Sequence, residues 1–250
     1  MTALKDVLLL GASAVAGVVG SAGGTASLIS YPALLAVGFP PLAANVTNSI
    51  AFVGAWPGSA LASRPELRDQ GPRLLRWAPI VVAGSALGAW LLLATPARAF
   101  GRVVPFLLAF AALVLLFQPQ VSAWLARHPA VGSHRFLLPG GLIAVAAYDG
   151  YWGAGAGVMT LALLMITTGL GLAGSNALKN MILGIADVTC CAVFIAFWHV
   201  DWAAVAPMAA GFLIGGMIGP ALTRRLPANV LRIIAALAGL GLAIRLWVGS

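Results

Sequence analysis

Apolar residues fill the chain in eight blocks, separated by short clusters of charge and proline. The blocks lie at about 7–37, 43–62, 75–95 and 101–118, and again at about 136–168, 174–198, 203–222 and 229–248. Between the fourth and fifth runs a polar stretch, QPQVSAWLARHPAVGSHR. Most blocks are close to the roughly 20 residues that a membrane-spanning helix needs. The pattern therefore predicts an all-α polytopic membrane protein.

The first and fifth blocks differ from the rest. Both are overlong, and small residues interrupt both, at Gly20–Gly24 and Gly150–Gly157. Half of such a block is about 15 residues, or about 22 Å of helix at 1.5 Å per residue. That falls short of a hydrocarbon core about 30 Å thick. Each block is therefore predicted to be two half-helices, a broken helix or re-entrant hairpin, meeting inside the membrane.

The two interrupted blocks also match each other. A shift of 131 places Gly24 on Gly155, Gly38 on Gly169 and Asn45 on Asn176; a shift of 127 places Gly84 on Gly211 and Gly88 on Gly215. The chain thus divides into a first transmembrane repeat over 1–118, a linker over 119–135 and a second repeat over 136–250, an arrangement common among secondary transporters. The loop Ser63–Arg76 carries Arg64, Arg68, Arg73 and Arg76, whereas its counterpart around His199–Trp202 has no Lys or Arg. Conversely, the loop with Arg224, Arg225 and Arg232 is more basic than its counterpart with Arg98 and Arg102. Basic residues favour the cytoplasmic side, so equivalent loops on opposite sides point to an inverted repeat. The outward placement this gives Arg98 and Arg102 counts on the parallel side.

Composition agrees with a lipid environment. Of 250 residues, 61% are hydrophobic and 8% charged, with a mean hydropathy of +1.01. Soluble domains are roughly 45–50% apolar and about 25% charged, so lipid must cover much of this surface. The N-terminal apolar run is read as part of the mature fold, because cleavage there would remove half of the first repeat. The net charge of +8 does not indicate nucleic-acid binding, since the basic residues are spread over loops with no polybasic run. Cys190 and Cys191 are adjacent within an apolar block and fit no disulfide or metal pattern. No cofactor is expected; the expected partners are a small-molecule anion and the bilayer, with a homo-oligomer left open.

The breaks carry the candidate chemistry. Irregular backbone survives inside a membrane only where it is buried in protein or lines a watery cavity. The second half-helix of each pair starts near Gly24 or Gly155, and its free N–H groups and positive dipole end would face the middle of the protein. Two such ends make an anion site without a buried arginine, with Gly23, Gly24 and Thr25 on one side and Gly153, Gly155 and Gly157 on the other. Small residues that let helices pack closely are the competing reading. Asn45 with Asn48, and Asn176 with Asn180, each share a helix face, and Thr47 and Ser49 add hydroxyls. Asn45 and Asn176 are equally well read as helix N-caps.

Lys179 is the sole lysine beyond Lys5. It complements an anion, snorkels to the headgroups, or neutralises Asp187 on a similar helix face. Asp149, beside the second break, and Asp187 are candidates for proton coupling. Tyr31, Tyr148, Tyr151 and Trp152 flank the breaks; Tyr151 is a candidate pocket residue. Trp56, Trp77, Trp90, Trp198 and Trp202 read as interfacial belt residues.

The runs GSAGGTASLISYPALLAVGFPPLAANVTNSIA and YDGYWGAGAGVMTLALL…NALKN resemble the TauE/SafE family of sulfite and organosulfonate exporters. The likeness spans nearly the whole chain. It rests most on the glycine break followed by Pro32-Ala33-Leu34-Leu35 and Thr47-Asn48, and on Tyr148–Gly155 followed by Asn176-Ala177-Leu178-Lys179-Asn180. The resemblance implies a bacterial inner-membrane permease of eight segments, carrying sulfite or small sulfonates. Asp149 stands where such runs tend to have Gly, and Asp187 where Asn is common. Carboxylates beside an anion site imply protonation or pairing. The expected function is a non-enzymatic secondary transporter, an exporter of a small sulfur-containing anion with proton coupling; an anion channel and a membrane-embedded enzyme are the alternatives. The three histidines, His128, His134 and His199, sit in loops or at segment ends, and no nucleophile–base set emerges.

Overall fold

A computed structural model of the chain describes residues 3–23, 26–127, 136–223 and 228–248. Among these residues every regular element is a helix. The order is α1 (Ala3–Gly23), α2 (Ser27–Ala36), α3 (Pro41–Phe52), α4 (Ala55–Ala62), α5 (Gly71–Ala94), α6 (Ala97–Arg127), α7 (Leu137–Tyr151), α8 (Ala156–Thr168), α9 (Leu172–Phe197), α10 (Trp202–Thr223) and α11 (Ala228–Val248). Four stretches are long and apolar enough to cross a membrane: Ala3–Gly20, Gly71–Ala94, Ala97–Val121 and Leu172–Phe197. Leu75, Trp90, Phe106 and Trp247 point outward among many exposed apolar side chains, as a lipid-facing wall requires.

Both overlong blocks are broken, as their pattern predicts, but the breaks fall later than the first glycines. Gly20 and Gly150 lie inside α1 and α7. In the first block α1 reaches Gly23 and α2 starts at Ser27, and in the second the chain leaves helical geometry at Trp152–Gly155. The halves are also unequal. α1 has 21 residues and α2 has 10, whereas α7 has 15 and α8 has 13. At 1.5 Å per residue α1 is about 31 Å long, so it is a full span and not a half-helix. Gly20 is needed for the turn back: a Cβ there would lie 2.7 Å from the Ala26 Cβ. In the second break Gly153 and Gly155 take φ of +80° and +89°, a region that suits glycine.

A further departure concerns length. The second block breaks at Val53–Gly54 into α3 and α4, while its counterpart α9 is continuous. Pro57 has no N–H to give the Val53 carbonyl, so an unbroken helix would lose a bond there; in the first turn of α4 the same proline is tolerated. In the polar stretch after the fourth block, α6 continues as far as Arg127. His128 and His134 lie outside the described residues.

Helix contacts pair across the two halves of the chain. The two largest join α1 with α10 and α5 with α7. Both seams are built on glycines spaced by four. A Cβ on Gly17 would lie 3.0 Å from the Gly215 Cα, and one on Gly211 2.9 Å from the Ser13 Cβ. A Cβ on Gly84 would lie 2.7 Å from the Ile143 carbonyl oxygen, and one on Gly150 2.9 Å from the Ala89 nitrogen. These are the close backbone approaches that small residues allow in membranes. They account for the matched spacing of Gly84 with Gly88 and of Gly211 with Gly215. The remaining contacts fall into similar matched pairs: α1 with α2 and α7 with α8, α2 with α11 and α8 with α6, while α6 and α11 meet each other.

Candidate transport cavity at the helix breaks

The two interruptions are brought together. The Tyr31 ring, on α2, packs edge-on against Trp152 in the second break, with centroids 5.0 Å apart. Phe100 completes the cluster, 5.9 Å from Trp152 and 6.0 Å from Tyr151. Tyr148 Oη donates to the Ala154 carbonyl at 2.7 Å, closing the second break over itself. Tyr31 Oη donates to the Pro41 carbonyl at 3.3 Å and so ties α2 to α3.

Beside this aromatic cluster lies a cavity of about 50 Å³. A cavity needs roughly 10–15 Å³ of this kind to hold one water, so it has room for a few waters or one small oxyanion. On one side it is lined by Gly20, Ala26 and Ser27 at the first break and by Asn48, Ser49, Phe52, Ala55, Trp56 and Ser59 from α3 and α4. Across from them are Asp149, Gly153 and Gly157 at the second break, with Asn180, Leu183, Gly184 and Asp187 from α9. The lining repeats with the chain. The shift of 131 that aligns the two breaks carries Ala26 to Gly157, Ser49 to Asn180, Phe52 to Leu183 and Trp56 to Asp187.

The lining is polar and incompletely satisfied. Asn48 Nδ2 donates to Ser27 Oγ at 3.2 Å, joining α3 to the start of α2, while Asn48 Oδ1 is buried without a partner. Asp149 Oδ2 is buried and unpartnered as well. At the N-terminus of α8 the Gly155 carbonyl accepts from Val158 at 3.1 Å and Met159 at 3.3 Å, and Ala156 N–H donates to Gly153 at 3.1 Å. Among the described residues no backbone acceptor is recorded for the N–H of Gly157, which lines the cavity. Buried polar groups are seldom left unpaired, so this cluster of free donors and acceptors marks a place for a polar guest.

The sequence-derived candidates divide into three groups. Asn48, Gly153, Gly157, Asn180, Asp149 and Asp187 line the cavity. Asn45, Thr47, Tyr151, Gly155, Asn176 and Lys179 are not among its lining residues. Gly24 and Thr25 are outside the described residues, and Gly23 closes α1. Asn45 Nδ2 donates to the Tyr151 carbonyl at 3.0 Å and so binds α3 to the end of α7. The N-cap reading of Asn45 and Asn176 is overturned, because Pro40 and Gly171 occupy the cap positions. Gly155 packs toward α6, where a Cβ would meet the Ala111 Cα at 3.5 Å.

Lys179 is 1% exposed, which overturns snorkelling. Its Nζ has no hydrogen-bond partner, so the structure does not pair it with Asp187 either. Trp56 is no belt residue: it faces the cavity, with its indole lying over the backbone of Gly184. Trp77 is likewise buried, while Trp90 and Trp202 are exposed as a belt would be. Ser27, Phe52, Trp56, Ser59, Leu183 and Gly184 escaped the sequence reading. Helical spacing from Asn48 and Asn180, with the same shift of 131, would have found most of them.

Comparison with known proteins agrees with this architecture. Residues 9–246 match the family model described as Sulfite exporter TauE/SafE. The chain is 29% identical over 242 residues to "Probable membrane transporter protein ORF9" of Sinorhizobium, covering 94% of this chain and 89% of that one. It is 30% identical over 214 residues to a "Probable membrane transporter protein" of Haemophilus influenzae, covering 82% of this chain and 80% of that one. To "Probable membrane transporter protein YfcA" of Escherichia coli K12 it is 27% identical over 208 residues, covering 82% and 75%. No solved structure gives a significant match. With glycine-broken helices enclosing a polar cavity and a family match over almost its whole length, the chain belongs to the TauE/SafE family of membrane transporters.

Proposed function

We propose that the protein exports a small sulfur-containing anion, sulfite or an organosulfonate, across the bacterial inner membrane by alternating access. The observation that carries this reading is the polar cavity between the two breaks, lined by Asn48, Asn180 and the start of α8, where Asn48 Oδ1 and Asp149 Oδ2 are buried without a partner. Amides and free backbone N–H groups bind an oxyanion without a fixed cation. Lys179, buried on α9 next to the lining residue Asn180, adds a basic group to the same region.

Asp149 and Asp187 set the coupling. Two like charges 4 Å apart repel by about 4 kcal/mol at an effective dielectric of 20. An anion therefore enters most readily when these carboxyls carry protons, and protons travel with it. A dianion moving with one proton leaves one net negative charge to cross. An inside-negative potential favours that outward step by about 2.3 kcal/mol per 100 mV.

The moving bodies cross the two halves of the sequence. Backbone-close glycine seams fuse α1 to α10 and α5 to α7. Gly54 and Gly58 hold α4 to α10, where a Cβ would meet the Ala209 carbonyl oxygen at 2.6 Å and the Met217 nitrogen at 2.7 Å. Cys190 Sγ donates to the Ser85 carbonyl at 3.7 Å and ties α9 to α5. One body then holds α1, α4 and α10, the other α5, α7 and α9, with the cavity on the seam between them. The sequence alone suggests one repeat rocking against the other; the packing favours these exchanged bundles as the moving bodies.

Proteoliposomes loaded with sulfite, methanesulfonate or chloride test the reading. Saturable efflux of sulfite or the sulfonate, faster with the same anion on the far side, supports a carrier. Non-saturating efflux without that acceleration indicates a channel, and no flux of any oxyanion refutes the proposal.

A further inference from the structure

Of the equivalent pairs in the cavity wall, the most unequal is Trp56 in the first half with Asp187 in the second. Trp56 is the bulkiest side chain of the lining. Its position is fixed by an absence opposite: a Cβ on Gly184 would overlap the indole at Cδ1 and Nε1 and would lie 2.5 Å from Cε2. The ring therefore lies directly over the α9 backbone, held by a glycine that admits no side chain. Its carrier is also fixed, because α4 is locked to α10 through Gly54, Gly58 and Gly216, whose Cβ would meet the Ala55 carbonyl oxygen at 2.7 Å. The indole Nε1 is buried and has no hydrogen-bond partner. A buried donor left unpaired costs stability, so nothing in hydrogen bonding explains why this residue is Trp. Its volume does.

We infer that Trp56, seated on Gly184, is the size filter of the transport cavity and decides which anions fit. This rests on the proposed anion transport. The ring forms part of the wall of this cavity of about 50 Å³, a size that suits sulfite or methanesulfonate better than an anion with a longer alkyl tail. Ser59 and Phe52 stand beside it on the same face of α3 and α4, so removing the indole opens room along α4 toward Ser59. Selectivity between similar anions then follows from one side chain, as expected when a pocket must exclude and not merely attract.

The inference separates two variants by the sign of their effect. Efflux of sulfite and of 1-propanesulfonate is measured in proteoliposomes for the wild-type protein, Trp56→Ala, Trp56→Phe and Gly184→Ala, each normalised to the amount reconstituted. Trp56→Ala is expected to raise the propanesulfonate-to-sulfite ratio of kcat/KM about tenfold, the worth of one or two methylenes admitted to a pocket. Trp56→Phe, which keeps a ring, is expected to raise it less. Gly184→Ala pushes the indole into the cavity and is expected to lower sulfite and propanesulfonate transport unequally, reducing the ratio. Equal scaling of both anions in Trp56→Ala and Trp56→Phe, or a ratio raised by Gly184→Ala, overturns the inference. Failure of the wild-type protein to move either anion would refute the transport reading itself, a separate outcome.

Discussion

The second apolar block of each half builds one wall of the cavity, and the two walls differ. In the first half the block is broken into α3 and α4 and supplies Ser49, Phe52 and Trp56. In the second half it is the continuous α9 and supplies Asn180, Leu183 and Asp187 at equivalent positions. One residue earlier, Asn48 stands opposite in the repeat to Lys179. Asn48 reaches the cavity and bonds to Ser27, whereas Lys179 is enclosed with its ammonium unpaired. The same scaffold therefore does two jobs. The first wall shapes the space with neutral and bulky groups, and the second holds the ionisable ones. An internal repeat fixes where the cavity lies; its chemistry comes from where the copies disagree.

The comparison depends first on the glycine seams that hold both walls in register. Gly150→Leu and Gly211→Leu are expected to abolish folded protein in the membrane, because backbone atoms and not flexible side chains stand in the way. Overpacking typically costs about 1–3 kcal/mol and more where nothing can yield. Gly140→Leu, with nothing near its missing Cβ, is expected to leave the amount of detergent-stable protein unchanged.

A second prediction sharpens the division of labour between the walls. Efflux of methanesulfonate, which stays a monoanion throughout, is expected to rise at least about tenfold in the wild-type protein from pH 8 to pH 5, the equivalent of 1.4 kcal/mol of relieved repulsion. Asp149→Asn with Asp187→Asn is expected to flatten that profile. Acid activation that survives the double substitution would move proton coupling elsewhere.

Lys179→Met tests the odd member of the Asn48–Lys179 pair. Sulfite KM is expected to rise about tenfold, the equivalent of about 1.4 kcal/mol of lost attraction acting through the lining without direct contact. The thermal unfolding midpoint in detergent is expected not to fall, because a buried charge without a partner is replaced by an apolar side chain of similar length. A lower midpoint with unchanged KM would make Lys179 structural.

The smallest effect is expected from Asn45→Ala. Loss of its bond to the Tyr151 carbonyl should cost about 1–2 kcal/mol of stability, read as a lower unfolding midpoint with sulfite KM unaltered. A large KM change would bring Asn45 into the lining.

Much of this arrangement is legible in the sequence, and the gaps have physical causes. Eight apolar blocks, two of them glycine-broken, follow from hydropathy and the length of a membrane span. The break in the second block was legible too, in Gly54 and Pro57, but the block was short enough to pass for one span. The helical status of Gly20 and Gly150 was not. A glycine that begins a break and a glycine that admits a neighbouring backbone look alike in a single sequence. Trp56 was misplaced for a related reason. An indole near the end of an apolar block fits an interfacial belt equally well, and only the tertiary approach of α4 to Gly184 shows that it faces inward.

Calorimetric titration of sulfite into the purified protein at acid pH tests the central claim most directly, comparing the wild type with Asn48→Leu plus Asn180→Leu. Those substitutions take one amide from each wall while roughly preserving side-chain volume. The expected result is saturable binding at one site in the wild type, weakened by about tenfold or more in the double variant, the equivalent of about 1.4 kcal/mol. Equal affinity in the two proteins would place the anion outside the cavity and contradict the account.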